Sequence, residues 1–284
     1  MSLLAPNRLG SGLDHPSITV EGACRAYELP DFSSLVALDH VDLAIAPGTF
    51  VSVIGPSGCG KSTLLRIIGG LEQPDAGEIT VCGVSPRQAA ESKALGFVPQ
   101  GAALLPWLSV LKNVSLPAKV NRRHNRAPLP DMAELLRKAG LGEAMHKLPS
   151  QISGGMQQRA AIVRAFGLRP DVMLMDEPFS ALDEFTRESL QEQLLDLWDE
   201  TKSTVVFVTH SISEAVRLSD TVVVMAPRPG RIVDVLDIDL PRPRSAELVR
   251  SPEFHYYELL IRERLRDAFG HSEVARGERT EGEG

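Results

Sequence analysis

Little in this chain is basic, continuously apolar or rich in cysteine, and each shortage removes a class of function. Thirty lysines and arginines stand against 37 aspartates and glutamates, a formal net charge of −7. The basic excess of a nucleic-acid binder is therefore missing, and an anionic membrane surface would not attract the chain. No uninterrupted apolar run approaches the ~20 residues that span a bilayer. Cys24, Cys59 and Cys82 are odd in number and widely spaced, which is no disulfide framework. The segment from Met1 to Pro16 has neither the basic start nor the apolar centre of a secretory signal, and no internal repeat is visible. What is present, 43 % hydrophobic and 24 % charged residues over 284 positions, suits one large globular domain or a domain with an appendage. A soluble cytoplasmic setting is the expectation.

Taken in order, residues 1–16 lack periodicity and are expected to form a mobile arm. A strand begins at Ile18, and Ala37 to Ile45 alternates as a half-buried strand should. Pro47-Gly48 turns the chain into the apolar run Thr49 to Ile54, and short strands are expected at Gly77–Gly83 and Ala94–Gln100. Over about 101–166 the strand signal fades and helical patterns take over, an insertion in an otherwise α/β domain. The β signal returns at Asp171–Asp176, Thr204–His210, Thr221–Ala226 and Arg231–Ile238. Between the first two, Leu190, Leu194, Leu197 and Trp198 recur at helical spacing. Runs apolar on both faces that alternate with helices imply a parallel sheet covered on both sides. The main domain is expected over 17–240, an amphipathic helix from Phe254 to Phe269 within an extension at 241–270, and a disordered tail at 271–284.

The chemistry starts at Gly55-Pro56-Ser57-Gly58-Cys59-Gly60-Lys61-Ser62, with Thr63 next. A glycine-rich loop between a buried strand and a helix lets several backbone N–H groups converge on phosphate oxygens. The helix adds its positive end, Lys61 reaches the β and γ phosphates, and the Ser62 hydroxyl suits magnesium. By chance the four fixed positions recur in roughly one chain in a hundred of this length. Asp176 and Glu177 end the apolar strand at the sheet edge where the loop opens. There Asp176 would hold Mg2+ and Glu177 would orient and deprotonate the attacking water, and His210, closing the next strand, would meet the γ phosphate. Ser153-Gly154-Gly155-Met156-Gln157 opens another helix and makes a second anion-ready N-terminus. One nucleotide enclosed by the first loop leaves that site without a task, unless two chains pair head-to-tail and complete each other's sites.

The ordered set Gly55–Ser62, Gln100, Ser153–Gln157, Asp176-Glu177, Ser180–Asp183 and His210 resembles the ATP-binding subunit of ABC transporters over about Ile18 to Leu240. The resemblance implies an ABC ATPase fold: a P-loop NTPase with a mostly parallel sheet core, an antiparallel β subdomain and an α-helical insertion. It implies that Gln100 senses the metal and couples to a membrane partner, that Asp183 lies at a dimer interface, and that Ser153 and Gly155 hold the γ phosphate across it. The aromatic residue under adenine would be Tyr27, with Phe32 the alternative. The signature departs from the family in having Ile152 for leucine and Met156 for glutamine. Leu104-Leu105-Pro106-Trp107, Asn113-Val114 and Val224–Arg231 look like the nitrate/sulfonate/taurine import ATPases. That likeness implies a homodimer or heterodimer of ATPase subunits on permease subunits at the cytoplasmic face of the inner membrane, fed by a solute-binding protein. An exporter ATPase, or a non-transport ATPase of the DNA-repair or chromosome class, is the alternative. The latter carry long coiled coils where only about 50 residues separate Gln100 from Ser153 here.

Overall fold

The computed structural model describes residues 17–227 and 229–280, so the arm expected over 1–16 lies outside the described residues. The chain opens with a long hairpin, β1 (Ile18–Glu28) and β2 (Ser34–Ile45), and enters β3 (Phe50–Ile54), in which every residue is buried. The phosphate loop leads into α1 (Lys61–Ile68), followed by β4 (Ala76–Val81), α2 (Pro86–Glu91) and β5 (Leu95–Val98). Three helices come next, α3 (Val110–Lys119), α4 (Met132–Lys138) and α5 (Gly154–Phe166). Strands and helices then alternate: β6 (Val172–Asp176), α6 (Glu184–Thr201), β7 (Thr204–Thr209), α7 (Ile212–Leu218) and β8 (Thr221–Ala226). The chain ends with β9 (Arg231–Asp237), α8 (Ala246–Val249) and α9 (Pro252–Thr280).

Six strands form one sheet in the order β5-β6-β7-β3-β8-β9, parallel except for the hairpin of β8 and β9. Because β3, β6 and β7 are covered by helices on both faces, their residues are buried throughout, which is why they read as continuous apolar runs. The order carries the function. Strands β3, β6 and β7 are neighbours, so the loop after β3, the acids after β6 and the histidine after β7 leave the sheet at one edge. A second, antiparallel sheet, β2-β1-β4, stands against α1 and supplies the wall beside the phosphate loop.

The spaced apolar residues of α6 behave as expected. Leu190, Leu194 and Trp198 are buried, and Trp198 meets Phe50 of β3 edge-on at 5.7 Å between ring centroids. Helices α5, α6 and α7 begin at Ser153, Asp183 and Ser211, each side chain accepting from the amide three residues on. Helices α3 to α5 enclose a core of their own, including Val110, Val114, Leu136 and Val163.

The C-terminal part differs from the expectation. Helix α9 runs from Pro252 past position 270 to Thr280 rather than giving way to a disordered tail at 271; residues 281–284 lie outside the described residues. Glu273, Ala275, Arg276, Glu278 and Arg279 are good helix formers, and no proline interrupts them. Nor is α9 a free extension. Its Phe254 and Ile261 are fully buried with Ile54, Ala215, Val222 and Val224 against β8 and α7. The connection is secured by the buried Arg244, which donates to the carbonyls of Val216, Ser219, Ile238 and Leu240. Burial pushes that guanidinium down to about 10, still far above neutral pH, so it keeps its donors.

Candidate active site

Strand β3 delivers the chain into the loop 55–60, and the loop's shape rests on glycine. Gly58 and Gly60 have φ of 74° and 97°, the left-handed region that side chains disfavour. A Cβ on Gly60 would also lie 2.6 Å from the Ala37 carbonyl and 2.7 Å from Leu38 of β2. Gly60 starts α1 without any side-chain cap, so the helix's leading amides stay available to an anion. Lys61 is buried and its ammonium donates to the carbonyls of Gly55 at 2.8 Å and Pro56 at 3.0 Å. The charge is thereby held over the loop's concave side.

The Ser62 hydroxyl donates to the Asp176 carboxylate at 2.8 Å, joining the start of α1 to the end of β6. Burial pushes the Asp176 carboxyl up, the Ser62 hydrogen bond offsets part of that, and neighbouring Glu177 adds to the rise. A divalent cation would reverse this penalty, and a hydroxyl beside a carboxylate is the hard oxygen pair that Mg2+ takes while keeping its other positions for water and phosphate. The residues present therefore fit the expected metal.

Glu177 follows at φ 43°, strained for a residue with a Cβ, and its amide donates to the Val208 carbonyl of β7 at 2.9 Å. That turn points its carboxylate at His210, with Oε2 and Nδ1 3.1 Å apart. Gln100, after β5, donates to the Ser180 hydroxyl at 3.4 Å, and Ser180 in turn donates to the Glu177 carbonyl. A cavity of about 380 Å3 is lined by Tyr27, Val36, Lys61, Ser62, Gln100 and Glu177 among others. Tyr27 is anchored through its hydroxyl to Glu72 at 2.6 Å, and Arg25 lies over its ring. Phe32 is almost fully exposed in the β1–β2 turn and does not line the cavity. Leu35 and Val36 also line it, residues that carried no signal beyond an apolar run. A larger cavity, about 1140 Å3, opens at the opposite ends of the strands, where Arg126 pairs with Asp171; it contains none of the expected catalytic groups.

The signature segment lies elsewhere. None of Ser153 to Gln157 lines the cavity of its own chain. The Ser153 hydroxyl accepts from the Met156 amide at 3.3 Å, capping α5. Met156 and Ile152 pack on the helical core, so the two departures from the family's signature are apolar contacts of this subdomain. Gln157 donates to the Pro149 carbonyl at 3.0 Å, so its side chain serves the local fold. Gly154 has open space around it, whereas a Cβ on Gly155 would lie 2.9 Å from Thr186 of α6. Gly155 thus also permits α5 to approach α6, a packing reason beside the one expected from phosphate. Asp183 is exposed and accepts from the Thr186 amide at 2.9 Å, which holds its carboxyl below the ordinary value. Cys59 is buried against Lys61, 3.9 Å from its ammonium, and contributes to the loop through its backbone.

Comparison with known proteins finds related sequences and structures. The family described as ABC transporter matches residues 38–180. The aliphatic sulfonates import ATP-binding protein SsuB of Bacillus cereus is 42 % identical over 229 residues, 81 % of this chain and 89 % of its own. The nitrate import ATP-binding protein NrtD of Synechococcus elongatus is 43 % identical over 226 residues, 77 % of this chain and 81 % of its own. Among solved structures, a dimeric post-hydrolysis state of the ATP-binding cassette MJ0796 bound to ADP and Pi aligns with TM-score 0.68 and 33 % identity. That alignment covers 79 % of this chain and 100 % of the other. On the family match and these relatives, the chain belongs to the ABC transporter ATP-binding proteins, and it is an ATPase.

Proposed function

We propose that this ATPase energises an importer for a small anionic or organic solute of the nitrate, sulfonate or taurine type, as a head-to-tail dimer on a membrane permease. The observation that carries the dimer is the separation within one chain: the capped start of α5 stands apart from the cavity that holds Lys61 and Glu177. A second copy related by a two-fold axis brings its Ser153 and Gly155 to the γ phosphate. The import direction rests on relatives that are themselves named as import ATP-binding proteins. Among the described residues no helix is long and apolar enough to cross a membrane, so the route for the solute belongs to a partner.

In this reading the loop amides and Lys61 grip the β and γ phosphates and hold the developing charge in place. Tyr27 packs under the adenine. Ser62, Asp176 and Gln100 would hold Mg2+, which would supply charge neutralisation on the phosphate oxygens. Glu177 takes the proton of the attacking water, and His210 keeps the carboxylate aimed while it meets the γ phosphate. ATP joins the two chains, hydrolysis releases them, and the permease follows.

Two measurements test the reading. The Glu177→Gln variant should lose at least about 100-fold in turnover, as removal of a general base does, while an ATP-bound dimer persists in size-exclusion chromatography. Undiminished hydrolysis would remove Glu177 from the mechanism. Co-purification of the membrane subunit, followed by ATPase assays with candidate ligand-loaded binding proteins, tests import directly. Stimulation by no binding protein would favour an exporter.

A further inference from the structure

One buried carboxylate is left unused by the mechanism above. Glu214, in the first turn of α7, is 7 % exposed. Its position three residues after Ser211 is that of a capping-box partner, whose side chain would reach back to the Ser211 amide. It does not. The Ser211 amide donates instead to the Thr209 hydroxyl at 3.0 Å, and that hydroxyl donates to Glu214 Oε2 at 2.6 Å. The other carboxylate oxygen faces Arg187 of α6, with Nε 3.7 Å away. Arg187 donates through Nη2 to the Leu182 carbonyl at 2.9 Å, inside the segment Ser180–Asp183.

These contacts give the Ser180–Asp183 segment a side-chain route to the end of β7, beside the hydrogen bond by which Ser180 meets the Glu177 carbonyl. Leu182 and the exposed Asp183 lie in the segment expected at the dimer interface, while Thr209 adjoins His210, which is paired with Glu177. The bridge is also one contact short. Arg187 Nε is buried and has no hydrogen-bond partner. Its separation from Glu214, 3.7 Å, would need to shorten by about 0.8 Å to reach the usual N–H···O length. A charged donor and a buried carboxylate left at that distance gain from any small displacement that closes it. Beside them, Arg217 donates to Gln191 at 3.1 Å and Glu192 at 3.1 Å, fastening α7 to α6 so that the two helices move together.

We propose that Arg187, Glu214 and Thr209 form a positioning relay that aligns His210 with Glu177 when the Ser180–Asp183 segment shifts on docking of the second chain. The proposal rests on the reading of Glu177 and His210 as the hydrolytic pair. None of the three relay residues lines the cavity that holds Lys61 and Glu177. They set the geometry of the Glu177 and His210 pair, and they make that geometry depend on the partner.

The full-length Glu214→Gln variant keeps the shape and the acceptor for Thr209 while removing the charge that faces Arg187. It should lower kcat about tenfold with KM for ATP and the thermal midpoint unchanged, the pattern of lost transition-state alignment. Arg187→Met should do the same, and the double variant should be no slower than either single one, because both cut one chain of contacts. Arg187→Lys, which keeps the charge without the fork, should fall between. Unchanged kcat in Glu214→Gln, or losses in the two single variants that simply multiply, would overturn the relay. So would equal losses accompanied by a lowered thermal midpoint, the sign of a merely structural role. Retained turnover in Glu177→Gln would instead strike the underlying hydrolytic reading, whereas an inactive Glu177→Gln beside a wild-type-like Glu214→Gln would strike the relay alone.

Discussion

Cys59 shows how a residue in a catalytic loop can be present for packing. Its thiol is buried among the core residues behind the loop, and burial pushes its pKa up, with nearby Lys61 offsetting part of the rise. A neutral, enclosed thiol is a poor nucleophile. Native-state alkylation read by mass spectrometry should therefore modify the exposed Cys82 well before Cys59. The Cys59→Ala variant should keep ATP affinity within about twofold in equilibrium binding, since the loop amides and not the thiol face phosphate. Glu177 illustrates the opposite case. Its left-handed backbone is unexplained by local sequence and becomes intelligible only as the means of aiming its carboxylate at His210.

Among the elements, the hairpin of β8 and β9 has a task that its sequence does not announce. Its turn lies on the phosphate loop. The Gly230 amide donates to the Ala37 carbonyl at 3.1 Å, and the Asp39 amide donates to the Gly230 carbonyl at 3.0 Å. A Cβ on Gly230 would sit 2.2 Å from the Cys59 carbonyl. Gly230→Ala must push the hairpin or the loop aside, so ATP affinity should fall at least about tenfold, the loss expected when an overpacked contact distorts a binding backbone. Gly230 was legible as a turn residue, but the partner it turns against was not, because the contact joins segments about 170 residues apart in the chain.

The same junction is tied by Arg231, which donates through two nitrogens to one oxygen of Asp39, while His40 meets the other. Arg231 first and His40 second hold the Asp39 carboxyl below the 3.8 of a free aspartate. A carboxyl depressed in the folded state stabilises above its unfolded pKa, and that contribution is lost as pH falls through the folded value. Asp39→Asn should thus melt below the wild type near neutral pH, and the gap should begin to shrink below about pH 3.8 and close only once the pH has passed through the depressed folded value, where both chains carry a neutral side chain.

For the whole molecule the decisive question is whether the two halves of each site come from different chains. Ser153→Arg and Lys61→Ala should each be inactive alone. Mixed, they form heterodimers in which one site pairs an intact loop with an intact signature. With random pairing roughly a quarter of the wild-type sites should return. An ATPase assay of the mixture against each parent reads this directly; silence in the mixture would rule out the head-to-tail arrangement.

By itself the sequence determined the local chemistry and the layer order. The glycines of 55–60, the acids after Met175 and the apolar runs of β3, β6 and β7 state their conformations through backbone freedom, burial and period, all properties of neighbours along the chain. Only the tertiary structure decided what those elements press against. It placed α9 in the core beside Ile54, set Gly155 against Thr186 and Gly230 against Cys59, and left Glu214 facing Arg187. Each of these is a long-range packing or charge contact, set by how whole elements stack and invisible to any window of consecutive residues.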